Sequence, residues 1–201
     1  MIDNSTLRQN ARMQLGESIF GNTWMMLAVL CFVYSAAVGA LSGMLIGIIF
    51  IGPLSYGMCR VFIGAVNGKK LDFNDALSGF TEALGNSLVL ELLRTLFTAL
   101  WSMLFVVPGI VKSYSYAMAM YIQQDDPDLD ARDCIDTSRE MMDGYKWKLF
   151  CLDCSFIGWY LLGALCFGIG VFFVMPYHET AKANFYLALK AERMNLFTSS
   201  N

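Results

Sequence analysis

The sequence predicts an all-α fold, a polytopic membrane helical bundle of about six transmembrane helices arranged as three hairpins. Composition is the first reason: 56% of the 201 residues are hydrophobic and 15% are charged, against roughly 45–50% and about 25% in soluble domains. Long apolar runs separated by tight turns are the second, and the grouping of Lys and Arg in alternate connectors is the third. A soluble enzyme of this length needs more charge to cover its surface. The 14 Lys and Arg against 17 Asp and Glu also argue against a nucleic-acid partner.

Residues 1–22 predict an amphipathic N-terminal helix rather than a signal peptide. Apolar residues recur there at helical spacing, namely Leu7, Ala11, Leu15 and Ile19. The segment lacks the basic start and apolar core of a signal peptide. Such a helix lies on the membrane surface, packs against the bundle or is exposed to solvent ahead of the first apolar stretch. The periodicity is consistent with all three.

Six apolar stretches follow, and a helix of ~20 residues is needed to cross the ~30 Å hydrocarbon core of a bilayer. They are residues 24–41, 44–66, 84–107, 110–122, 149–167 and 171–189. Tight turns pair them into hairpins over residues 23–67, 84–122 and 149–190; the turns are Ser42-Gly43, Pro108-Gly109 and Gly168-Ile169-Gly170. The chain is therefore predicted to be a single integral-membrane domain.

Two polar connectors join the hairpins, and each is predicted to contain a short helix. Residues 68–83 form a cytoplasmic loop, in which residues 75–80 favour a short surface helix. Residues 123–148 form an acidic cytoplasmic segment. Its aspartates precede a predicted helix at 131–142, where negative charge stabilises the positive end of the helix.

The basic residues predict the orientation, because cytoplasmic loops of membrane proteins are enriched in Lys and Arg. With six crossings and an internal N-terminus, one side receives Arg8, Arg12, Lys69, Lys70, Arg132, Arg139, Lys146, Lys148, Lys190 and Arg193. The other side receives the three tight turns, with Lys112 as the one basic residue near them. We therefore predict a multi-pass protein of the cell membrane with both termini in the cytoplasm.

Each hairpin has a proline early in its returning helix, at Pro53, Pro108 and Pro176. This weak internal repeat predicts three kinked return arms. A proline in a membrane helix is either a structural kink or the mark of a broken helix that lines a substrate site. The structural kink is the commoner case.

Ionisable side chains inside the apolar stretches are the candidate site residues, namely Arg60, Glu91, Arg94, Asp153, His178, Glu179 and Lys182. Each costs at least ~2.5–3.5 kcal/mol in hydrocarbon, so each needs a partner or water. Glu91 and Arg94 share one face of a helix and are predicted to pair. Arg60 is predicted to pair with Glu91 or Asp153. The set forms either interhelical ion pairs, which we favour, or a polar pathway or anion pocket.

Small and polar residues of the third hairpin predict helix–helix contacts. Gly158 and Gly163 allow a neighbouring helix to approach closely. Asn184 is placed to hydrogen-bond a carbonyl group that a proline kink leaves without its partner.

The sequence contains no motif for catalysis, and we expect no cofactor and no metal. Cys151 and Cys154 have CxxC spacing, but zinc needs two more ligands and the single histidine lies in another segment. The acidic run from Asp126 lacks the glycine and the glutamate that an EF-hand needs at its sixth and twelfth positions. HExxH, GxSxG and P-loop patterns do not occur in the sequence.

The sequence also resembles a known family. The residues that carry the resemblance are 101–110, 112–118, 138–144, 148–150, 155–159, 168–170, 176–177 and 183–186, with 52–54 and Gly57 in the first half. They resemble a bacterial integral-membrane family catalogued as domain of unknown function 975, over about residues 5–190. The resemblance implies a multi-helix membrane protein and supplies no activity, substrate or cofactor.

Three functions are consistent with the sequence. The one we favour is a non-enzymatic membrane scaffold or regulator, acting in envelope stress or in the assembly of a partner complex. The second is a small transporter or channel component with a polar intramembrane pocket. The third, with the least support, is an intramembrane enzyme that acts on lipid phosphates. In each case the lipid bilayer surrounds the protein, and a membrane-protein partner or a second copy of the chain is expected.

Overall fold

The computed structural model describes residues 3–15, 22–41, 47–69, 72–104, 106–165 and 169–199, and the regular structure in these ranges is α-helical. The predicted all-α class is therefore confirmed. The helices are α1 (Asn4–Leu15), α2 (Asn22–Leu41), α3 (Gly47–Val66), α4 (Phe73–Ala76), α5 (Ser78–Thr81), α6 (Leu84–Leu104), α7 (Val106–Ser115), α8 (Ala119–Asp125), α9 (Ala131–Met141), α10 (Lys146–Leu165) and α11 (Ile169–Ser199). Some residues used in the sequence predictions lie outside the described ranges, namely Ile19, Ser42, Gly43, Lys70 and Gly168.

Two of the described helices are long and apolar enough to cross a membrane. They contain the stretches Thr23–Ala40 in α2 and Lys146–Leu165 in α10. α3 contains a shorter apolar stretch, Phe50–Val66. Length and composition of the described helices thus give weak support to membrane association, and the six crossings stay a prediction.

The chain forms two compact units. The first contains residues 1–37, 62–71 and 147–201, and the second contains residues 38–61 and 72–146. The first unit holds α1, α11 and most of α2 and α10, whereas the second holds α4 to α9 and most of α3. The predicted first hairpin, residues 23–67, therefore contributes to both units.

In the first unit, α1 packs against α11. Its apolar side buries Leu7, Ala11 and Leu15, as the spacing predicts. The side-chain amides of Gln14 and Asn184 exchange two hydrogen bonds, with N···O distances of 3.1 and 2.6 Å. Of the alternatives for the N-terminal helix, the structure supports the one in which it packs against the bundle.

α2 also contacts α11 through aromatic side chains. The indole Nε1 of Trp24 donates to the Phe173 carbonyl oxygen at 3.0 Å. The rings of Phe32 and Phe172 meet edge to face, with 4.8 Å between their centroids. Aromatic pairs of this geometry are stabilising. The Trp24 hydrogen bond and the Phe32–Phe172 pair therefore both hold α2 against α11.

α10 and α11 approach closely at a pair of glycines. A Cβ atom on Gly163 would lie 2.8 Å from the backbone carbonyl carbon of Gly170, so the prediction for Gly163 is confirmed. The prediction for Gly158 is wrong, because this residue is on an exposed side of α10 with nothing within 4 Å of an added Cβ. α11 has 31 residues and includes Pro176. It continues past the predicted end at residue 190, because no glycine or proline follows Pro176.

In the second unit, glycines bring α3 against the first connector. A Cβ atom on Gly79 would overlap the carbonyl oxygen of Pro53, which lies inside α3, and one on Gly57 would overlap the carbonyl oxygen of Ala76. The predicted short helix at 75–80 is present as α4 and α5, which flank Leu77. The connector therefore packs directly on the backbone of α3.

In the second hairpin, the returning helix begins before the predicted turn at Pro108-Gly109. α6 ends at Leu104 and α7 begins at Val106, so Pro108 and Gly109 belong to the first turn of α7. Proline is tolerated there because the N–H groups of a first turn have no partner within the helix. Gly109 lies directly against Ser102 of α6, where a Cβ atom would overlap the serine.

The returning arm of this hairpin is divided, whereas the sequence predicts one stretch over residues 110–122. α7 ends at Ser115, residues 116–118 form a turn, and α8 begins at Ala119. The Ser138 hydroxyl of α9 donates to the Ser115 carbonyl oxygen at 2.8 Å and accepts from the Met118 N–H at 3.3 Å. All three residues are buried. Ser138 thus satisfies two backbone groups at the break, which stabilises a division that apolarity alone does not predict.

Replacing Ser138 by alanine is expected to lower the free energy of unfolding by about 2–4 kcal/mol, because two buried backbone groups lose their partner. The measurement is unfolding by sodium dodecyl sulfate in mixed micelles, followed by circular dichroism. The control is Ser155→Ala, because the Ser155 hydroxyl donates to the Leu152 carbonyl oxygen within its own helix. Equal losses for the two variants would show that Ser138 does not hold the break.

Candidate functional site

Arg60 binds the first connector rather than a deep partner. Its Nε lies 3.3 Å from Asp75 Oδ1, and its Nη1 contacts Glu82 Oε2. The predicted pairing with Glu91 or Asp153 is therefore wrong. Arg60 lies less than two turns from the C-terminus of α3, so its long side chain reaches the polar connector.

Glu91 and Arg94 of α6 form the predicted pair. Nη2 of Arg94 donates to Oε1 of Glu91 at 2.7 Å. The glutamate side chain is 8% exposed and the arginine side chain 33%. The second carboxylate oxygen, Oε2, is buried and has no hydrogen-bond partner within the described part of the chain. The pair therefore places a carboxylate in the interior of the unit and a cation at its edge.

Arg94 lines a groove between α6 and α7. The groove has a volume of about 480 Å³ and is lined by Arg94, Thr95, Thr98, Ala99, Ser102 and Ser113. The hydroxyl groups from α6 are spaced three and four residues apart, so they form one stripe along the helix. The sequence predictions missed this stripe because they considered ionisable residues alone, although the spacing is visible in the sequence.

Lys112 adds a second cation to this hairpin. Its Nζ lies 4.9 Å from the centroid of the Trp101 ring, a cation–π contact. Lys112 and Trp101 directly precede Ser113 and Ser102, which line the groove. Arg94 therefore lines the groove, and Lys112 lies one residue from a serine that lines it.

In the first unit, α10 and α11 bring Asp153, His178 and Tyr160 into one hydrogen-bonded chain. Nε2 of His178 lies 2.8 Å from Asp153 Oδ1, and Nδ1 lies 3.0 Å from the Tyr160 hydroxyl oxygen. The neutral imidazole with its hydrogen on Nε2 satisfies both contacts, donating to the carboxylate and accepting from the phenol. Phe156 stacks on the imidazole, with 4.6 Å between ring centroids. Tyr160 is not among the predicted site residues, although positions 153, 156 and 160 share one helix face.

The tautomer of His178 is a direct test of this chain, because the protein contains a single histidine. When the imidazole is neutral, we expect its ¹⁵N spectrum to show the hydrogen on Nε2 rather than on Nδ1. Asp153→Leu is expected to abolish this preference and to cost about 1–3 kcal/mol of stability, because a buried Nε2–H loses its acceptor. A wild-type spectrum with the hydrogen on Nδ1 would contradict the assignment.

Around Pro176, several side chains of α11 also bond within their own helix. Lys182 Nζ lies 3.3 Å from Glu179 Oε1. The Thr180 hydroxyl donates to the Pro176 carbonyl oxygen at 2.6 Å, and Asn184 Nδ2 donates to the Thr180 carbonyl oxygen at 3.0 Å. The prediction for Asn184 is therefore wrong about the carbonyl group that it bonds. A proline leaves unpaired the carbonyl group four residues before the proline, whereas Asn184 bonds to a carbonyl group after Pro176.

The thiol of Cys134 in α9 is held protonated. Burial, together with the smaller effects of nearby Asp126 and Asp133, raises its pKa from 9.0 to about 11. Because the pKa is higher in the folded than in the unfolded protein, this group makes stability fall as the pH rises from about 9 to 11. The CxxC residues Cys151 and Cys154 are free thiols.

In a variant whose other five cysteines are serine, we expect alkylation of Cys134 to be at least roughly a hundredfold slower than that of an ordinary thiol, since the thiolate fraction falls by about that factor. The rate is measured with iodoacetamide at pH 8. Full reactivity is expected after unfolding. Rapid alkylation of the folded variant would contradict the burial of this thiol.

The comparisons with known proteins concern the C-terminal part of the chain. Residues 105–193 match the profile of a family described as protein of unknown function (DUF975). The comparisons with curated proteins and with solved structures find no match. The matched region includes the divided arm with Ser138 and the chain of Asp153, His178 and Tyr160. Over residues 105–193 the match confirms the resemblance to the DUF975 family that the motifs predict.

Proposed function

We propose that this chain is a multi-pass integral membrane protein of the cell membrane that works without catalysis, as an assembly or regulatory partner of other membrane-embedded proteins. The observation that carries the proposal is a set of outward-facing rows of large apolar side chains on α2, α6 and α10. These are Val29, Phe32 and Val33; Leu92, Leu96 and Leu100; and Ile157, Leu161, Leu162 and Leu165, with 48–80% of each residue exposed. Exposed apolar surface of this kind marks contact with lipid or with another protein.

The proposed topology has six crossings and two cytoplasmic termini. The divided arm is consistent with it, because the 10 residues of α7 and the 7 residues of α8 provide about 25 Å of helix, to which the three turn residues between them add. A break at membrane depth is tolerated where protein covers it. Residues Ala119, Met120, Tyr121 and Ile122 of α8 are buried.

The pairing of the ionisable residues supports a non-catalytic role. Arg60, Glu91, Asp153 and Glu179 each have a charged partner or a histidine on the same or an adjacent element. Paired charges of this kind neutralise each other within apolar helices, whereas a catalytic centre gathers its acid, base and nucleophile at one cavity.

Reporter fusions test the topology. An enzyme active only in the cytoplasm and one active only outside it are fused in turn to each end of the chain. We expect the cytoplasmic reporter to be active at both ends, and the protein to leave the membrane fraction only with detergent. Opposite signals at the two ends, or release by salt or alkaline carbonate, would refute the proposed placement.

A small transporter or channel component is a second candidate, favoured by the groove between α6 and α7. Polar side chains run along α6 from Glu91 through Thr95 and Thr98 to Ser102, which is unusual for a helix in hydrocarbon. Flux of a small anion into proteoliposomes measures this activity. Flux that Thr98→Val abolishes supports transport, and the absence of flux above that of empty vesicles contradicts it.

A further inference from the structure

We propose that the groove between α6 and α7 binds a phosphate group, carried by an anionic lipid or free in solution, with Arg94 as the cation and the hydroxyl groups of Thr98 and Ser102 as donors. The groove volume of about 480 Å³ lies in the ordinary range of small-ligand sites, roughly 300–1,000 Å³.

The hydroxyl groups on the α6 side of the groove differ from the others in the apolar helices, whereas the Ser113 hydroxyl on α7 donates to the Ile110 carbonyl oxygen at 2.8 Å. Elsewhere, serine and threonine hydroxyls donate to backbone carbonyl oxygens three or four residues earlier, as Ser35, Ser115, Ser155 and Thr180 do. Within the described residues, the side-chain hydroxyls of Thr95, Thr98 and Ser102 have no such bond. Thr95 and Ser102 are exposed and Thr98 is half-buried, so these hydroxyl groups are open to a ligand that accepts hydrogen bonds.

The charge of the groove favours an anion. Among the lining residues, Arg94 is the one with a charge. Glu91 accepts one hydrogen bond from Nη2 of this arginine, and a guanidinium group has five N–H donors. With Lys112 on the adjoining turn, the three side chains sum to one positive charge. Arginine with several hydroxyl donors suits the acceptor oxygens of a phosphate.

The flanks of the groove favour a lipid as the source of that phosphate. Large apolar side chains on α6 and α7 are exposed beside it, namely Leu96, Leu100, Met103, Val107 and Ile110. Acyl chains fit such a surface, whereas free phosphate makes no use of it. The lipid source rests on the proposed membrane placement of α6, but binding of free phosphate does not.

The test uses the full chain in detergent, with native mass spectrometry to count bound lipids. Phosphatidylglycerol and phosphatidylcholine are added at equal concentration, and inorganic phosphate is added in a separate series as a competitor. We expect retention of phosphatidylglycerol over phosphatidylcholine, and a loss of this preference by roughly tenfold or more in Thr98→Val/Ser102→Ala, which lacks two hydrogen bonds to a charged group. Ser155→Ala is the control, because its hydroxyl lies on α10.

The outcomes separate the sources. Preference for phosphatidylglycerol that inorganic phosphate reduces supports a lipid head group. Competition by phosphate without any lipid preference supports free phosphate. Equal binding by the wild type and the double variant, both still folded by circular dichroism, overturns the site, as does binding of neither probe. Topology is read separately by the reporter fusions, so a wrong membrane placement leaves the phosphate series interpretable.

Discussion

Replacing Arg94 by glutamine is expected to lower the free energy of unfolding by about 3–5 kcal/mol, the usual cost of leaving a buried charge without its partner. The partner left behind is Glu91, whose side chain is 8% exposed and whose Oε2 has no hydrogen-bond partner in the described residues. The free energy is measured by unfolding with sodium dodecyl sulfate in mixed micelles.

The reciprocal change is expected to cost less. Glu91→Gln removes the buried charge and leaves Arg94, which lines a polar groove where water and hydroxyl groups solvate it, so we expect a loss of about 1–2 kcal/mol. The exchange Glu91→Arg/Arg94→Glu keeps opposite charges three residues apart, and it is expected to recover much of what either single reversal loses. Equal losses in Arg94→Gln and Glu91→Gln, with no recovery in the exchange, would contradict a mutual ion pair.

Replacing Gly79 by alanine is expected to destabilise the second unit by about 3 kcal/mol, at the upper end of ordinary overpacking effects. The added Cβ overlaps the carbonyl oxygen of Pro53. A backbone carbonyl group inside α3 has no rotamer to change, so the connector must move away from the helix. Gly57→Ala has the same expected effect, because its Cβ overlaps the carbonyl oxygen of Ala76.

Gly158→Ala is the matched control for these variants. Gly158 lies within α10, and nothing lies within 4 Å of an added Cβ. Alanine is a better helix former than glycine, so we expect a gain of about 0.5–1 kcal/mol. Losses of similar size at positions 79 and 158 would show that the contact with α3 does not determine the effect.

The features that sequence predicted well depend on neighbours along the chain. The amphipathic spacing of Leu7, Ala11 and Leu15 fixes one face of a helix whatever that face packs against. Glu91 and Arg94 are three residues apart, so a helix alone brings them together. The all-α class and the family motifs are likewise readable without coordinates.

The features that sequence missed depend on residues far apart in the chain. Asp75 and Glu82 form ion pairs with Arg60 because α4 and α5 pack on α3. The close contacts at Gly57 and Gly79 make this packing possible. Ser138 holds a break 20 residues or more before it in the chain. No periodicity in one stretch contains this information, because the partner lies on another element.

The same distinction applies to the site residues. Sequence alone determined that charged groups sit within apolar helices and that each needs a partner. Only the tertiary structure decided which partner each one has, joining Asp153 and Tyr160 through His178 and gathering hydroxyl groups beside Arg94. The physical reason is that the cost of burying a polar group is a property of the residue, whereas the hydrogen bond that offsets the cost requires a geometry that packing creates.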